Sequence, residues 1–356
     1  MLECRACGRT YDAGPDEPWR CACGHALDFA ERPLPEGGPD VDPTEGLWTF
    51  AAFLPTEAHV TLGEGFTPLA DAPEWDAQFK LDYVLPSGSY KDRGATVMLS
   101  RAADLDVERV LEDSSGNAGA AVAQYAARAG VPAEIYVPAS AKPSKLRAIE
   151  RAGATLVQVP GTRADVTDAC LEAVEDDDAG WYASHAWNTA FYAGTATFAY
   201  ELAAQRDWDV PDAVVLPLGH GTLFLGAYRG FRALRDAGWT DEIPRLLGVQ
   251  AAGVAPVATE LHGETAGTNG VADGIQIREP ARFPQILDAI ADCGGDAIAV
   301  GGEATEEALD ALHRAGFYCE PTSAVAAAGL AAYRQSGALA DEDDVVVALT
   351  GSGLKN

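Results

Sequence analysis

From about residue 60 onward, short apolar runs alternate with longer stretches of helical periodicity, and this alternation restricts the fold more than any other feature of the chain. The apolar runs fall at 107–111, 133–137, 155–159, 213–216, 245–250, 297–300 and 345–349, with helix-like stretches at 94–103, 117–129 and 142–152. Strands that are apolar throughout need cover on both faces, so the repeating strand–helix order predicts an α/β fold of parallel sheets covered by helices. At 356 residues the chain exceeds one small core, and two such lobes fit the length. There is no fixed-period repeat.

Residues 1–32 read as a separate unit. Cys4 and Cys7 form one close pair, Cys21 and Cys23 a second, and thirteen residues separate Cys7 from Cys21. A close pair on a turn presents both sulfurs to one ion. The glycines that follow, Gly8 and Gly24, allow the twist that aims backbone N–H groups at sulfur. Four soft ligands with no open position predict a structural, tetrahedral zinc site in a zinc-ribbon-like unit. The single-residue gap between Cys21 and Cys23 departs from the commoner spacing, and His25 stands as an alternative ligand. The other reading is a set of free thiols, but this segment has little apolar content to fold on without a metal. Residues 33–58, rich in proline, glycine and acid, predict a linker whose Leu47, Trp48, Phe50 and Phe53 dock on the body at 59–356.

Charge narrows the function classes. With 54 acidic against 25 basic residues the net charge is −29. A surface this acidic repels nucleic acid and anionic membranes. It suits concentrated salt, where screening shortens self-repulsion, and a halophilic protein is expected; an ordinary acidic enzyme is the alternative. No apolar run reaches the length of a membrane span, and Met1-Leu2-Glu3-Cys4 does not open a signal segment, so a cytoplasmic location is expected. Cys170, Cys293 and Cys319 are expected in the core, without a disulfide framework.

The chemistry centres on Lys91, one of only five lysines, within Pro86-Ser87-Gly88-Ser89-Tyr90-Lys91-Asp92-Arg93-Gly94. A small, hydroxyl-rich turn lets an aldehyde approach the amine, and pyridoxal phosphate is the commonest biological aldehyde to do so. Alone, the segment equally describes a Gly/Ser loop opening a helix with a solvated charged start. Three more segments lie at carboxyl ends of strands, where sites in such folds lie. Asp113-Ser114-Ser115-Gly116-Asn117-Ala118-Gly119 exposes backbone N–H groups, and Asn117 is both donor and acceptor. Pro217-Leu218-Gly219-His220-Gly221-Thr222 enters a helix and suits a phosphate. Thr350-Gly351-Ser352-Gly353 follows the last strand. Each alone is also what an ordinary turn looks like; four together, one with a lysine, point to one cofactor.

These segments, with Gly63-Glu64-Gly65-x-Thr67-Pro68-Leu69 and Glu320-Pro321-x-Ser323-Ala324, and in this order, resemble the fold-type II pyridoxal-phosphate enzymes of tryptophan synthase β-like architecture. Within them the chain looks most like threonine synthase and its relatives, over residues 60 to 356. The resemblance implies a smaller mobile lobe at about 95–195, a larger lobe at 59–94 and 196–356, and a homodimer. It implies that Lys91 holds the cofactor as an imine and moves the Cα proton, and that Asn117 bonds the ring's 3′-oxygen. Gly219, His220, Gly221 and Thr222 would cradle its phosphate, and Thr350 would face the ring nitrogen. Ser114 and Ser115 would bind the carboxylate of a small amino-acid substrate, with His185 as a further substrate contact. The implied activity is that of an amino-acid biosynthetic lyase converting O-phospho-L-homoserine and water to L-threonine and phosphate.

The sequence also departs from the family. Ala118 stands where threonine is usual, and His220-Gly221-Thr222-Leu223 replaces a loop richer in asparagine and glycine. In Ser184-His185-Ala186-Trp187-Asn188-Thr189-Ala190-Phe191, the arginine expected to grip a substrate phosphate falls on Phe191, and an expected Asn-Ser pair falls on His185-Ala186. A dianion in a cleft needs charged donors; His185, Arg163 and Lys142 are the other candidates. Serine or threonine deamination and a cysteine-synthase-like β-replacement therefore stand as alternatives, with a non-catalytic binding descendant as a third.

Overall fold

Ala213–Pro217 and Val345–Leu349 are buried along their whole length, as strands covered on both faces must be. The computed structural model describes residues 1–35, 37–38, 40–141, 143–175 and 180–355, and their side chains except those of 144 and 145. Lys142 and the acidic run at 176–178 thus lie outside the described residues.

In chain order the elements are β1 (Leu2–Glu3), β2 (Thr10–Tyr11), β3 (Asp28–Phe29), β4 (Leu69–Ala72), β5 (Ala77–Leu81), α1 (Lys91–Asp104), β6 (Val110–Glu112), α2 (Asn117–Ala129), β7 (Ala133–Pro138), α3 (Pro143–Arg151), β8 (Thr155–Val159), α4 (Arg163–Val174) and β9 (Trp181–Tyr182). There follow α5 (Thr189–Gln205), β10 (Ala213–Pro217), α6 (Thr222–Asp236), β11 (Arg245–Ala251), α7 (Pro256–His262), α8 (Phe283–Asp292), β12 (Asp296–Val300), α9 (Gly302–Arg314), α10 (Pro321–Ser336) and β13 (Val345–Leu349). They form three sheets: β2-β1-β3, β8-β7-β6-β9 and β12-β11-β10-β13-β5-β4. The first is antiparallel and the second parallel. The third is parallel except for β4, which runs against β5 at the edge.

Each parallel sheet carries its own core. Around the small sheet, α1 and α2 bury Met98, Leu99, Val122 and Tyr125. On one face of the large sheet α5, α6 and α8 bury Phe198, Phe224, Phe231 and Ile286; on the other α10 and β13 bury Val325, Leu330 and Leu349. The segment between ribbon and body is an irregular 3₁₀ stretch, Pro43–Phe53, started by Asp42, whose Oδ1 accepts the Thr44 N–H at 2.9 Å. Leu47 and Trp48 enter the small-sheet core, while Phe50 and Phe53 enter the large-sheet core. Trp48 Nε1 donates to the buried Glu64 carboxylate at 3.0 Å, which also accepts from Tyr125 OH at 2.9 Å and the Leu62 N–H at 2.7 Å. No helix among the described residues is long and apolar enough to cross a membrane.

The Cys4, Cys7, Cys21 and Cys23 sulfurs lie within 4.8 Å of one another. Cys4–Cys23 and Cys7–Cys21 are 3.5 and 3.6 Å apart, near the edge of about 3.8 Å that metal–sulfur bonds of ~2.3 Å impose on a tetrahedron. Gly8 and Gly24 take φ of +70° and +87°, the left-handed turn after each pair. His25 approaches Cys23 Sγ at 3.5 Å, outside the complete four-sulfur set.

Candidate active site

Loops leaving the carboxyl ends of strands from both parallel sheets carry the sequence-derived candidates, the placement expected of open α/β sheets. The loop after β5 leads to Lys91, the first residue of α1. Asp92 anchors this turn: its Oδ2 accepts the Ser87 N–H at 2.6 Å, and its other oxygen meets the Ser87 hydroxyl. Burial pushes the Asp92 carboxyl up to about 7 against the pull of these bonds. Lys91 Nζ donates to Thr222 Oγ1 at 3.1 Å, and the Tyr90 hydroxyl meets the same oxygen at 2.6 Å. The amine thus sits at the N-terminus of α6, whose free N–H groups and dipole favour an anion. Gly221 caps that helix at φ +77°. An added Cβ would meet Ile286 at 2.6 Å on Gly221, where something must shift, and Ile275 at a tight 3.2 Å on Gly219.

Three strand-like segments are stitched together beside Lys91. The Tyr90 N–H donates to Thr350 O at 2.9 Å, the Ser352 N–H to Gly88 O at 2.9 Å, and the Glu320 N–H to Gly351 O at 2.8 Å. Ser323, at the start of α10, accepts the Thr350 and Gly351 N–H groups at 3.0 and 2.8 Å. Its hydroxyl lies 3.1 Å from Thr350 Oγ1 and 3.2 Å from Gly351 O. With two donors already on Ser323 Oγ, its own proton turns to one of those oxygens, and the Thr350 hydroxyl proton can face the cleft.

Asn117 opens α2, its Nδ2 donating to Glu320 Oε1 at 2.8 Å and its Oδ1 accepting from Lys355 Nζ at 2.7 Å. Burial lowers the Lys355 amine below its ordinary value, opposed by Glu320 and Asp92. Ser114 and Ser115 lie half-buried in the β6–α2 loop, where Ser114 Oγ accepts the Gly116 N–H at 3.3 Å. Sequence reasoning gave no role to Ser323, Glu320 or Lys355. The signal for all three lay in the Glu320-Pro321-x-Ser323 and Thr350-Gly351-x-Gly353-Leu354-Lys355 stretches.

His185 follows β9. Its ring packs edge-on against His220 at 5.3 Å and near Phe191 at 6.1 Å. Its Nδ1 lies 2.7 Å from Glu112 Oε1. Burial, reinforced by Lys91, His220 and Arg163, lowers His185 well below its ordinary value, while burial and Asp113 raise Glu112 well above its own. Both shifts favour the neutral form of their group. Burial, then Arg163 and Lys91, hold His220 at about 3, and its buried Nδ1 has no hydrogen-bond partner. Phe191 is 0% exposed and 5.7 Å from Lys91 Nζ. A Cβ on Gly94 would lie 2.3 Å from its ring, so Phe191 fills the space that Gly94 leaves on α1. Arg163 is held by Asp113 at 3.0 Å.

An amine beside an anion-favouring helix start, an asparagine amide and a hydroxyl-bearing strand end form the donor set that a phosphorylated pyridine aldehyde requires, and the orphaned His220 nitrogen and glycine-lined cradle leave room for it. The chain belongs to the pyridoxal-phosphate dependent enzyme family, whose model matches residues 60–351. It is similar to the threonine synthase of Methanocaldococcus jannaschii, 33% identical over 380 positions covering 100% of this chain and 93% of that protein. It is also similar to the threonine synthase of Mycobacterium tuberculosis, 32% identical over 311 positions covering 83% and 84%. Among solved structures, threonine deaminase isoform 2 from Solanum lycopersicum superposes with a TM-score of 0.71 at 22% identity, covering 90% of this chain and 88% of that one. Maize serine racemase gives 0.70 at 22%, covering 81% and 88%. These two carry the fold.

Proposed function

We propose that the chain is a threonine-synthase-like lyase that converts O-phospho-L-homoserine and water to L-threonine and phosphate. The observation that carries this reading is Lys91 Nζ at 3.1 Å from Thr222, at the N-terminus of α6, in a chain aligned along its whole length with a protein named threonine synthase. When bound, pyridoxal phosphate supplies an electron-withdrawing ring that spreads the charge left at Cα. The backbone N–H groups of Gly221, Thr222 and Leu223 would hold its phosphate, and Asn117 Nδ2 would donate to its ring oxygen. The Thr350 hydroxyl would donate to its nitrogen, and a hydroxyl partner in place of a carboxylate would leave that nitrogen unprotonated, which suits elimination over transamination. Ser114, Ser115 and the N–H groups opening α2 orient the substrate carboxylate. The Lys91 amine takes the Cα proton and returns it at the end. Over the cycle one Cβ–H bond and the Cγ–O bond to phosphate break, a proton ends on Cγ, and water places its hydroxyl on Cβ while its remaining proton leaves with the phosphate.

One observation favours a second reading. Phe191 is enclosed against Gly94, and His185 and His220 are neutral, so the cleft wall opposite Lys91 offers little charge to a dianion. That wall suits a substrate without phosphate, deaminated or substituted at Cβ. Incubating the protein with O-phospho-L-homoserine and following phosphate and threonine separates the two. Equimolar release of both is expected; release of neither, with ammonia and an oxo acid formed from serine or threonine, establishes the second reading.

The reading extends to a structural zinc on Cys4, Cys7, Cys21 and Cys23, supported by four sulfurs within 4.8 Å of one another. Metal analysis is expected to give about one equivalent per chain, lost in Cys4→Ser. A homodimer, a cytoplasmic setting and a halophilic habit complete the proposal, the last supported by the net charge of −29.

A further inference from the structure

The chain's 25 basic residues include five lysines, leaving twenty arginines against 54 acids. Five of those twenty line one cavity of about 370 Å³: Arg5 and Arg32 from the ribbon side, Arg229 and Arg232 on α6, and Arg282 just before α8. In a molecule of net charge −29, a quarter of the arginines gathered around one small space requires an explanation.

Packing against a buried carboxylate explains only part of it. Asp28, on β3, is paired with Arg5 Nε at 2.7 Å, Arg229 Nη2 at 2.9 Å and Arg282 Nη1 at 2.9 Å. Burial works to raise the Asp28 carboxyl, and the arginines outweigh it and hold it well below the usual range. One carboxylate cannot balance three guanidiniums in direct contact, and two more stand beside them. Asp288 also lines the cavity, and Asp236 reaches Arg232 from the rim at 3.7 Å. Asp292 also acts on Arg232, through Tyr228, whose hydroxyl donates to Asp292 Oδ2 at 2.8 Å and accepts from Arg232 Nη1 at 3.2 Å, and five cations against four carboxylates still leave an excess of positive charge. Arg229 registers the excess: burial lowers it to about 9, and Arg282, Arg32 and Arg5 push in the same direction against Asp28.

Two groups have unused donors. Arg282 is 1% exposed, yet its Nε has no hydrogen-bond partner. Arg32 makes no hydrogen bond or ion pair among the described residues. The buried Arg282 donor and the unbalanced charge are both costly, a bound anion relieves both, and the exposed Arg32 guanidinium is free to close over it.

We propose that this cavity binds a phosphate-class dianion, either inorganic phosphate or the phosphate of a small phosphomonoester. Planar guanidinium forks match tetrahedral oxyanions two bonds at a time, which favours such an anion over chloride at equal charge density. The volume suits a small molecule, and the acidic surface outside repels a polyanion. The site is separate from the cofactor cradle: α6 begins at the cradle with Thr222 and presents Arg229 and Arg232 two turns and more further along.

The test uses the cofactor- and metal-loaded protein, so that both other anion-attracting centres are filled. Inorganic phosphate and glycerol 3-phosphate are titrated separately by calorimetry at constant ionic strength. Saturable uptake of about one equivalent is expected for at least one of them; the tighter of the two identifies the source of the anion. Arg232→Gln and Arg32→Gln replace exposed residues outside the catalytic cleft. Each is expected to weaken binding about tenfold, with the visible spectrum of the bound cofactor unchanged. No saturable uptake of either probe overturns the proposal, as does uptake that neither substitution alters.

Discussion

Lys91→Ala abolishes turnover, with a loss on the order of 10³-fold or more, because the amine both attaches the cofactor and carries the Cα proton. The visible absorption of the bound cofactor disappears with it. The fold survives. Lys91 is half-buried, its side chain's hydrogen bond among the described residues goes to Thr222, and Asp92, not Lys91, anchors the turn. Removing a side chain so placed costs within about 0.5 kcal/mol. Activity measured beside far-ultraviolet circular dichroism distinguishes the outcomes: a folded, colourless, inactive variant is expected, and a folded variant that retains turnover removes Lys91 from the mechanism.

Arg93→Met produces the largest loss of stability. Two residues beyond Lys91, the Arg93 guanidinium reaches Asp82 with two bonds, at 2.7 and 2.8 Å, and Glu201 at 2.8 Å. Lys80 Nζ meets Glu201 Oε1 at 2.5 Å, and all four side chains are fully buried. Two cations balance two carboxylates; methionine fills much of the volume but strands one charge. Breaking a buried pair from one side costs about 3–5 kcal/mol, and a fall of that size is expected in the free energy of unfolding by denaturant. The pH dependence has a definite sign. Burial works to raise Glu201, and Arg93 and Lys80 outweigh it and hold it at about 2, against an ordinary value of 4.5. Its contribution is therefore present above pH 4.5 and lost as pH falls through about 2. Without Arg93 the carboxyl takes up its proton at higher pH, so the acid limb of the stability curve moves upward. An unchanged acid limb together with unchanged stability contradicts the role assigned to Arg93.

The sequence was readable wherever function or structure lies in one continuous stretch. Residues 117–129 are a helix as expected, and 155–159 and 345–349 are strands as expected. The strand expected at 107–111 begins instead at Val110, because the Val107 N–H is spent on Ala102 O, closing α1 through a left-handed Asp106 at φ 52°. β5 escaped notice because Gln78 and Lys80 break its apolar pattern; Lys80 is buried because Glu201, 121 residues away, Gln205 and the Thr67 carbonyl accept its bonds. β9 is two residues long and carries no periodicity. The site divides the same way. The Lys91, Ser114, Gly219 and Thr350 turns are contiguous motifs at strand ends and could be found by inspection. The Asn117–Glu320 bond joins residues 203 positions apart, and the Glu112–His185 pair joins residues 73 positions apart, at the end of β6 and after β9, through burial that no local pattern reveals. The excess of arginine around Asp28 is likewise assembled from the ribbon, α6 and the start of α8.

The stretch Pro43–Phe53 also shows why the molecule resists shortening. Its aromatic residues are shared between the cores of both sheets, so shears placed after Asp42 would open two interiors at once. Shears placed ahead of it remove Asp28 and leave Arg229 and Arg282 without their counter-charge. The amino-terminal ribbon is thus a detachable module by sequence order but an integral plug by electrostatics.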